Sequence, residues 1–145
     1  MTTMHRRLFA TFAAAVLPAL AAAPSLAQTT AAKNKLVFQV SDADPQKWNL
    51  TLNNVRNVID DLGSDNVELE VVVYGPGIGM LKGDSPVGKR VADALKGGVK
   101  VVACENTMKG QHLVYADKLP DIGYVPAGVV ELMKKQQQGY AYIRP

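Results

Sequence analysis

The stretch from Val67 to Tyr74 reads VELEVVVY, and it constrains the fold more than any other part of the chain. It begins as a half-buried strand would, with Val67, Leu69 and Val71 alternating against Glu68 and Glu70. It then turns continuously apolar at Val71-Val72-Val73. A strand with no polar face left is covered on both sides, the situation of a strand in a parallel sheet flanked by helices. Parallel neighbours need long crossover connections, usually helical.

The rest of the chain supplies those connections. Leu36-Val37-Phe38-Gln39-Val40 is a first apolar, β-prone run. Asp44-Pro45 then gives a helix start, Asp as N-cap and Pro in the first turn. Trp48, Leu52, Val55, Ile59 and Leu62 follow at three- and four-residue steps and form one helical face. Gly63 is predicted to close that helix as a left-handed cap. A second helix is predicted from Ser85-Pro86 to Leu95, ended by Gly97-Gly98, and a third strand from Val99 to Ala103, ending at Cys104. Asn106 to about Leu113 reads as helix and Tyr124-Val125 as a brief strand. Pro126 opens a last helix through Val129, Val130, Leu132 and Met133, closed by Gly139 before a final strand at Tyr140–Ile143. Strand and helix alternate throughout. The expected fold is therefore α/β: a three-layer α/β/α sandwich over residues 35–145, with a mostly parallel sheet of about five strands.

What precedes residue 35 reads differently. Arg6-Arg7 leads into an Ala/Leu/Phe/Val run that ends in Ser25-Leu26-Ala27, the small-x-small pattern of a cleaved signal peptide. Pro18 and Pro24 interrupt the run, which is also short for a membrane span of about 20 residues. Residues 1–27 are expected to be removed after Ala27, by the Sec or the twin-arginine route, leaving residues 28–34 as a flexible tail on a periplasmic protein. Losing Arg6 and Arg7 lowers the formal net charge of +3 by two, so no basic surface suited to nucleic acid is expected. No membrane contact is expected after cleavage. With a single cysteine, the chain cannot form an internal disulfide.

In parallel sheets, ligands bind outside the carboxyl ends of the strands. Two segments fall there by sequence: the loop Gly75-Pro76-Gly77-Ile78-Gly79-Met80 after Tyr74, and Cys104 after Ala103. A thiol between a strand end and a helix start lies near free N–H groups that stabilise the thiolate, while Glu105 opposes it and Lys100 or Lys109 offset Glu105. The alternative is a buried cysteine acting as a small hydrophobe. The glycine loop lacks the third glycine and the acidic partner of a dinucleotide fingerprint. It reads instead as a turn that brings backbone N–H groups toward the site. Cys104, Met108 and His112 are spaced by four and would share one helical face, a soft-metal set suited to Cu(I). No other cofactor is implied.

Four segments carry a family resemblance: KLVFQVSD, VELEVVVYGPGIGML, VVACENTM and VPAGVVELMKKQQQGYAYIRP. With them, residues 35–145 resemble the DsrE/DsrF-like family, in particular its exported single-domain members. Within them, Ala-Cys-x-Asn-Thr-Met and the closing Gln-x-Gly-Tyr-x-Tyr-Ile-x-Pro carry most of the specificity. The resemblance implies an α/β/α fold, assembly into a homo-oligomer (trimer or hexamer), and a cysteine after a central strand that carries sulfur as a persulfide. Cys104 stands at that position. Tyr74, Gly75, Gly77, Gly79, Asn106 and Thr107 would then hold the anionic sulfur, and the partners would be small sulfur species or a thiol partner protein. Such chemistry is that of a carrier or sulfurtransferase. The family's relay subunits are cytoplasmic and differ from this chain at Glu105-Asn106-Thr107.

Overall fold

A computed structural model describes residues 33–145; the expected leader and most of the expected tail lie outside the described residues. Five strands, β1 (Asn34–Val40), β2 (Val67–Val73), β3 (Lys100–Cys104), β4 (Gly123–Val125) and β5 (Ala141–Ile143), form one sheet in the order β4-β3-β2-β1-β5. Every pairing is parallel. The four crossovers carry α1 (Pro45–Leu62), α2 (Gly88–Lys96), α3 (Glu105–Gly110) and α4 (Gly128–Gln137). The three-layer α/β/α sandwich expected from the sequence is the architecture observed, with an all-parallel sheet.

The start of α1 follows from its residues. Asp44 stays extended while its Oδ1 accepts the Gln46 N–H at 2.8 Å, and Pro45 fills the first turn, where a missing N–H costs nothing. The end differs from expectation. Gly63 has φ 84° but ψ 141°, so it leaves the helix toward an extended turn rather than as a left-handed helical cap. β1 begins at Asn34, which the sequence assigned to the tail, because Asn34 pairs with Val67 at the start of β2.

Side chains alternate across the sheet, and the two faces bury different things. Phe38, Val40, Val71, Val73, Val101 and Ala103 face α1 and α2 and join a large apolar cluster with Trp48, Leu52, Val55 and Val91. On the other face, α4 covers a small cluster of Val37, Val72, Val102, Leu132 and Tyr140. The apolar residues that mark α4 in the sequence point mostly outward: Val129 is 57% and Met133 49% exposed. Its buried residues are Gly128, Leu132 and Lys135.

Strand order sets where the carboxyl edge can bind anything. From β1 the chain moves outward through β2, β3 and β4, then returns to place β5 on the far side of β1. The reversal therefore lies between β1 and β5. A cleft of about 520 Å³ opens there beside α4, with Gln39, Tyr74, Met133 and Tyr142 in its lining.

Candidate functional site

Cys104 is the last residue of β3 and the N-cap of α3. Its side chain projects toward the α4 face, the side of Val102 rather than of Ala103. The Thr107 N–H reaches Sγ at 3.5 Å, as expected where the chain turns from strand into helix and the first N–H groups have no partner within the helix. On the other side stands the turn that opens α4, with the Pro126 carbonyl oxygen 4.0 Å from Sγ. The same carbonyl accepts the Asn106 N–H at 3.2 Å, which ties the starts of α3 and α4 together around the sulfur.

Thr107 links the sulfur to the glycine segment. Its Oγ1 accepts the Gly75 N–H at 2.8 Å, leaving the hydroxyl proton free to donate toward Sγ. Gln111 Nε2 closes the same contact by donating to the Gly75 carbonyl at 3.3 Å.

Two opposed effects act on the Cys104 thiol. Burial, the largest, raises its pKa, since the residue is only 5% exposed. The Thr107 hydroxyl, then the N–H groups of Thr107, Gly128 and Asn106, lower it and together outweigh burial. The thiol ends below its ordinary value. Lys100, one of the two lysines invoked from sequence, sits at the opposite end of β3 from the thiol. The Glu105 carboxylate, which would oppose the thiolate, accepts a hydrogen bond from the Tyr115 hydroxyl. That tyrosine stacks edge-on against Tyr124, with ring centroids 4.5 Å apart.

The glycine segment corrects a sequence expectation. It is no open cradle of N–H groups but a 3-10 helix, Gly75–Leu81, folded under the sheet edge. The Gly75 N–H is taken by Thr107, and the Gly77 N–H goes to the carbonyls of Ser41 and Tyr74, both at 3.1 Å. Gly77 is glycine because the turn presses on the end of β1: a Cβ there would lie 2.6 Å from the Val40 carbonyl oxygen. Gly79 lies against the Trp48 indole. Of the residues assigned to sulfur binding, Thr107 reaches Cys104 directly, Gly75 reaches it through Thr107, and Asn106 donates its N–H to the Pro126 carbonyl beside the sulfur. Gly77 and Gly79 shape the core. Tyr74 approaches the site from the cleft side, its ring packed against Gly128.

The soft-metal set also dissolves. α3 ends at Gly110, and His112 lies beyond it, exposed, at φ 53°. Met108 is buried in the α1/α2-side cluster, on the face of the sheet opposite to Cys104. The even spacing by four holds only if the helix continues, and here it stops. Among the described residues no group of three or more His, Cys, Asp or Glu is placed to hold a metal ion.

Sequence reasoning missed Pro126, whose carbonyl meets the sulfur from 22 residues away, and Gly128 beside it, whose N–H helps to lower the thiol pKa. The one available signal was Val-Pro-Ala-Gly: a glycine at the start of a helix, where a side chain would be harmless unless something were packed against it.

The comparisons agree with this architecture. The model of the DsrE/DsrF-like family matches residues 20–145, and the chain belongs to that family. A protein of unknown function from Methanobacterium thermoautotrophicum is 34% identical, with a TM-score of 0.74, over 78% of this chain and 100% of its own. A conserved protein of unknown function from Bacteroides thetaiotaomicron (12% identity, TM-score 0.64, 77% of this chain and 95% of that one) shares the fold. So does the ychN protein from E. coli (16% identity, TM-score 0.57, 77% and 99%). Among curated proteins no match is found.

Proposed function

We propose that this protein handles sulfane sulfur, carrying it as a persulfide on Cys104. The family points to a sulfur-relay type of role. The observation that carries the finer reading is the setting of one sulfur where α3 and α4 begin: the Thr107 N–H reaches it at 3.5 Å and the Pro126 carbonyl at 4.0 Å, with the Thr107 hydroxyl the largest influence that lowers the thiol pKa. Donors that favour a thiolate favour a persulfide anion in the same place.

The chemistry is two exchanges at sulfur. The Cys104 thiolate attacks the outer sulfur of a donor persulfide, RS–SH; an S–S bond forms to Cys104, the donor S–S bond breaks, and RS⁻ leaves. An acceptor thiolate then attacks the outer sulfur of Cys104–S–SH, forms the new persulfide and returns Cys104 as thiolate. No net oxidation occurs, so neither metal nor redox cofactor is needed. Because Cys104 is 5% exposed, the reading requires the Val125–Gly128 turn to yield when a donor arrives. Intact-mass measurement after polysulfide treatment is the test. Gain of whole sulfur atoms by the wild type and none by Cys104→Ser is expected; equal gain in both would remove Cys104 from the role.

The same reading places the protein in the periplasm, supported by the basic start and the Ser25-Leu26-Ala27 ending of the leader. N-terminal sequencing of the protein recovered from the periplasm should begin at Gln28. A second reading concerns assembly. Val129, Val130 and Met133 on α4 and Tyr142 on β5 are exposed on the thinly covered face, which suits contact with further copies of this chain. Sedimentation should give a trimer or hexamer, and Met133→Glu should shift it toward monomer.

A further inference from the structure

Helix α4 meets the sheet along one stripe. Its buried residues, Gly128, Leu132 and Lys135, are spaced i, i+4, i+7 and share a single helical face. Gly128 stands on Tyr74: a Cβ there would lie 3.0 Å from Tyr74 Cβ and Cδ1. Leu132 enters the small cluster of Val37, Val72 and Val102. Lys135 meets β2 at Glu70, Nζ to Oε2 at 2.7 Å, with side-chain exposures of 11% and 4%. Of the three attachment points only one is an aliphatic side chain, so the ion pair is a principal anchor of the helix.

The pair is enclosed on every side the structure offers. Glu131, one turn earlier on α4, places Oε1 3.7 Å from Lys135 Nζ. The ammonium also lies 4.9 Å from the centroid of the Tyr140 ring, just before β5. Tyr140 donates its hydroxyl to Glu68 of β2, and Lys35 of β1 lies over the same ring. Glu70 Oε1 is buried with no hydrogen-bond partner among the described residues. Burial pushes the Glu70 carboxyl up, while Lys135, although also penalised by burial, is held up by Glu70 and its neighbours and remains a cation. A buried ion pair adds little net stability over apolar groups of the same shape. What it does add is a directional contact that permits little sliding, and loss of either partner strands a charge.

We infer that Glu70 and Lys135 are positioning residues for Cys104: they fix where α4 lies along β2, and so hold the Pro126–Gly128 turn against the sulfur. Gly128 and Lys135 are the two ends of the docked stripe, roughly 10 Å apart at about 1.5 Å of rise per residue, within one uninterrupted helix. A shift at the Lys135 end is therefore carried to the Gly128 N–H. The inference rests on the reading of Cys104 as the functional thiol, but its test does not use sulfur transfer.

The test reads the thiolate by its ultraviolet absorbance across pH in the full chain, alongside thermal melting. The variants are Glu70→Gln, Lys135→Met, the double Glu70→Leu/Lys135→Met, and Val91→Ala as a destabilised control in the opposite cluster. Each single substitution at the pair should raise the thiol midpoint by about one pH unit, a tenfold loss of thiolate at a pH below it. The double substitution replaces the pair with apolar contact, so it should recover most of the melting temperature while the midpoint stays raised, because the directional contact is gone; a midpoint back at the wild-type value would overturn the inference. Val91→Ala should lower the melting temperature and leave the midpoint unmoved. If the single variants melt earlier with the midpoint unchanged, the pair is structural only and the inference fails. Should Lys135→Met not fold, the nearly isosteric Glu70→Gln decides by itself. A protein that takes up no sulfur can still show these shifts, so failure of the persulfide reading and failure of this one are separate results.

Discussion

The two faces of the sheet are built from different materials. The α1/α2 face is packed with aliphatic and aromatic side chains, and among the described residues the buried ion pairs lie on the other face. The α4 face has a much smaller cluster, a buried ion pair, the tyrosine–glutamate contact of Tyr140 and Glu68, and the one cysteine. The adjacent residues Ala103 and Cys104 fall on opposite sides of this divide. The lesson is a division of labour: one face supplies cohesion by non-directional burial, the other supplies position through directional contacts around a sulfur.

Substitutions that should strain this division can be ranked. Phe38→Ala, in the middle of the apolar face, should cost about 3–5 kcal/mol in urea unfolding. Its thiol midpoint should stay at the wild-type value in the folded protein; a shift would mean that the faces are coupled through the strands. Gly128→Ala drives a Cβ onto Tyr74 and should cost about 1–3 kcal/mol as overpacking. Unlike the first variant, it should also raise the thiol midpoint, because the helix start is wedged away from the sulfur. Thr107→Val leaves the Gly75 N–H without its 2.8 Å acceptor and should cost about 1 kcal/mol. It too raises the midpoint, since the hydroxyl donor is gone.

The smallest effect is a pH dependence with a fixed sign. The Cys104 thiol is depressed in the folded chain, so the unfolded chain binds the proton more readily. Stability from this group is then present above the unfolded thiol value of about 8.5 and is lost as pH falls through the depressed folded value. The stability advantage of wild type over Cys104→Ala should therefore widen as pH rises through the depressed folded value toward the unfolded value of about 8.5. A narrowing advantage would show that burial, rather than the donors, dominates the thiol.

Much of the fold was legible because it rests on local periodicity. The Val71-Val72-Val73 run announced a strand covered on both faces, Asp44-Pro45 announced a helix start, and both are observed. The site was legible only in part. The position of Cys104 at a strand end followed from hydropathy, and Asn106 and Thr107 follow it directly in the chain. The glycine loop misled because glycine has two uses: it frees N–H groups for ligands, and it allows close approach of backbones. At Gly77 the second use holds. The spacing of Cys104, Met108 and His112 misled because α3 ends at Gly110, so His112 leaves the helical face that the spacing assumes.

The sequence by itself determined the alternation of strands and helices, the parallel sheet and the placing of the lone cysteine at its carboxyl edge, since each depends on residues near one another in the chain. The tertiary structure alone decided which face the sulfur takes, which N–H groups reach it, and that Glu70 of β2 meets Lys135 of α4. Those contacts join segments up to 65 residues apart, and their geometry depends on strand order and helix docking, which no local pattern encodes.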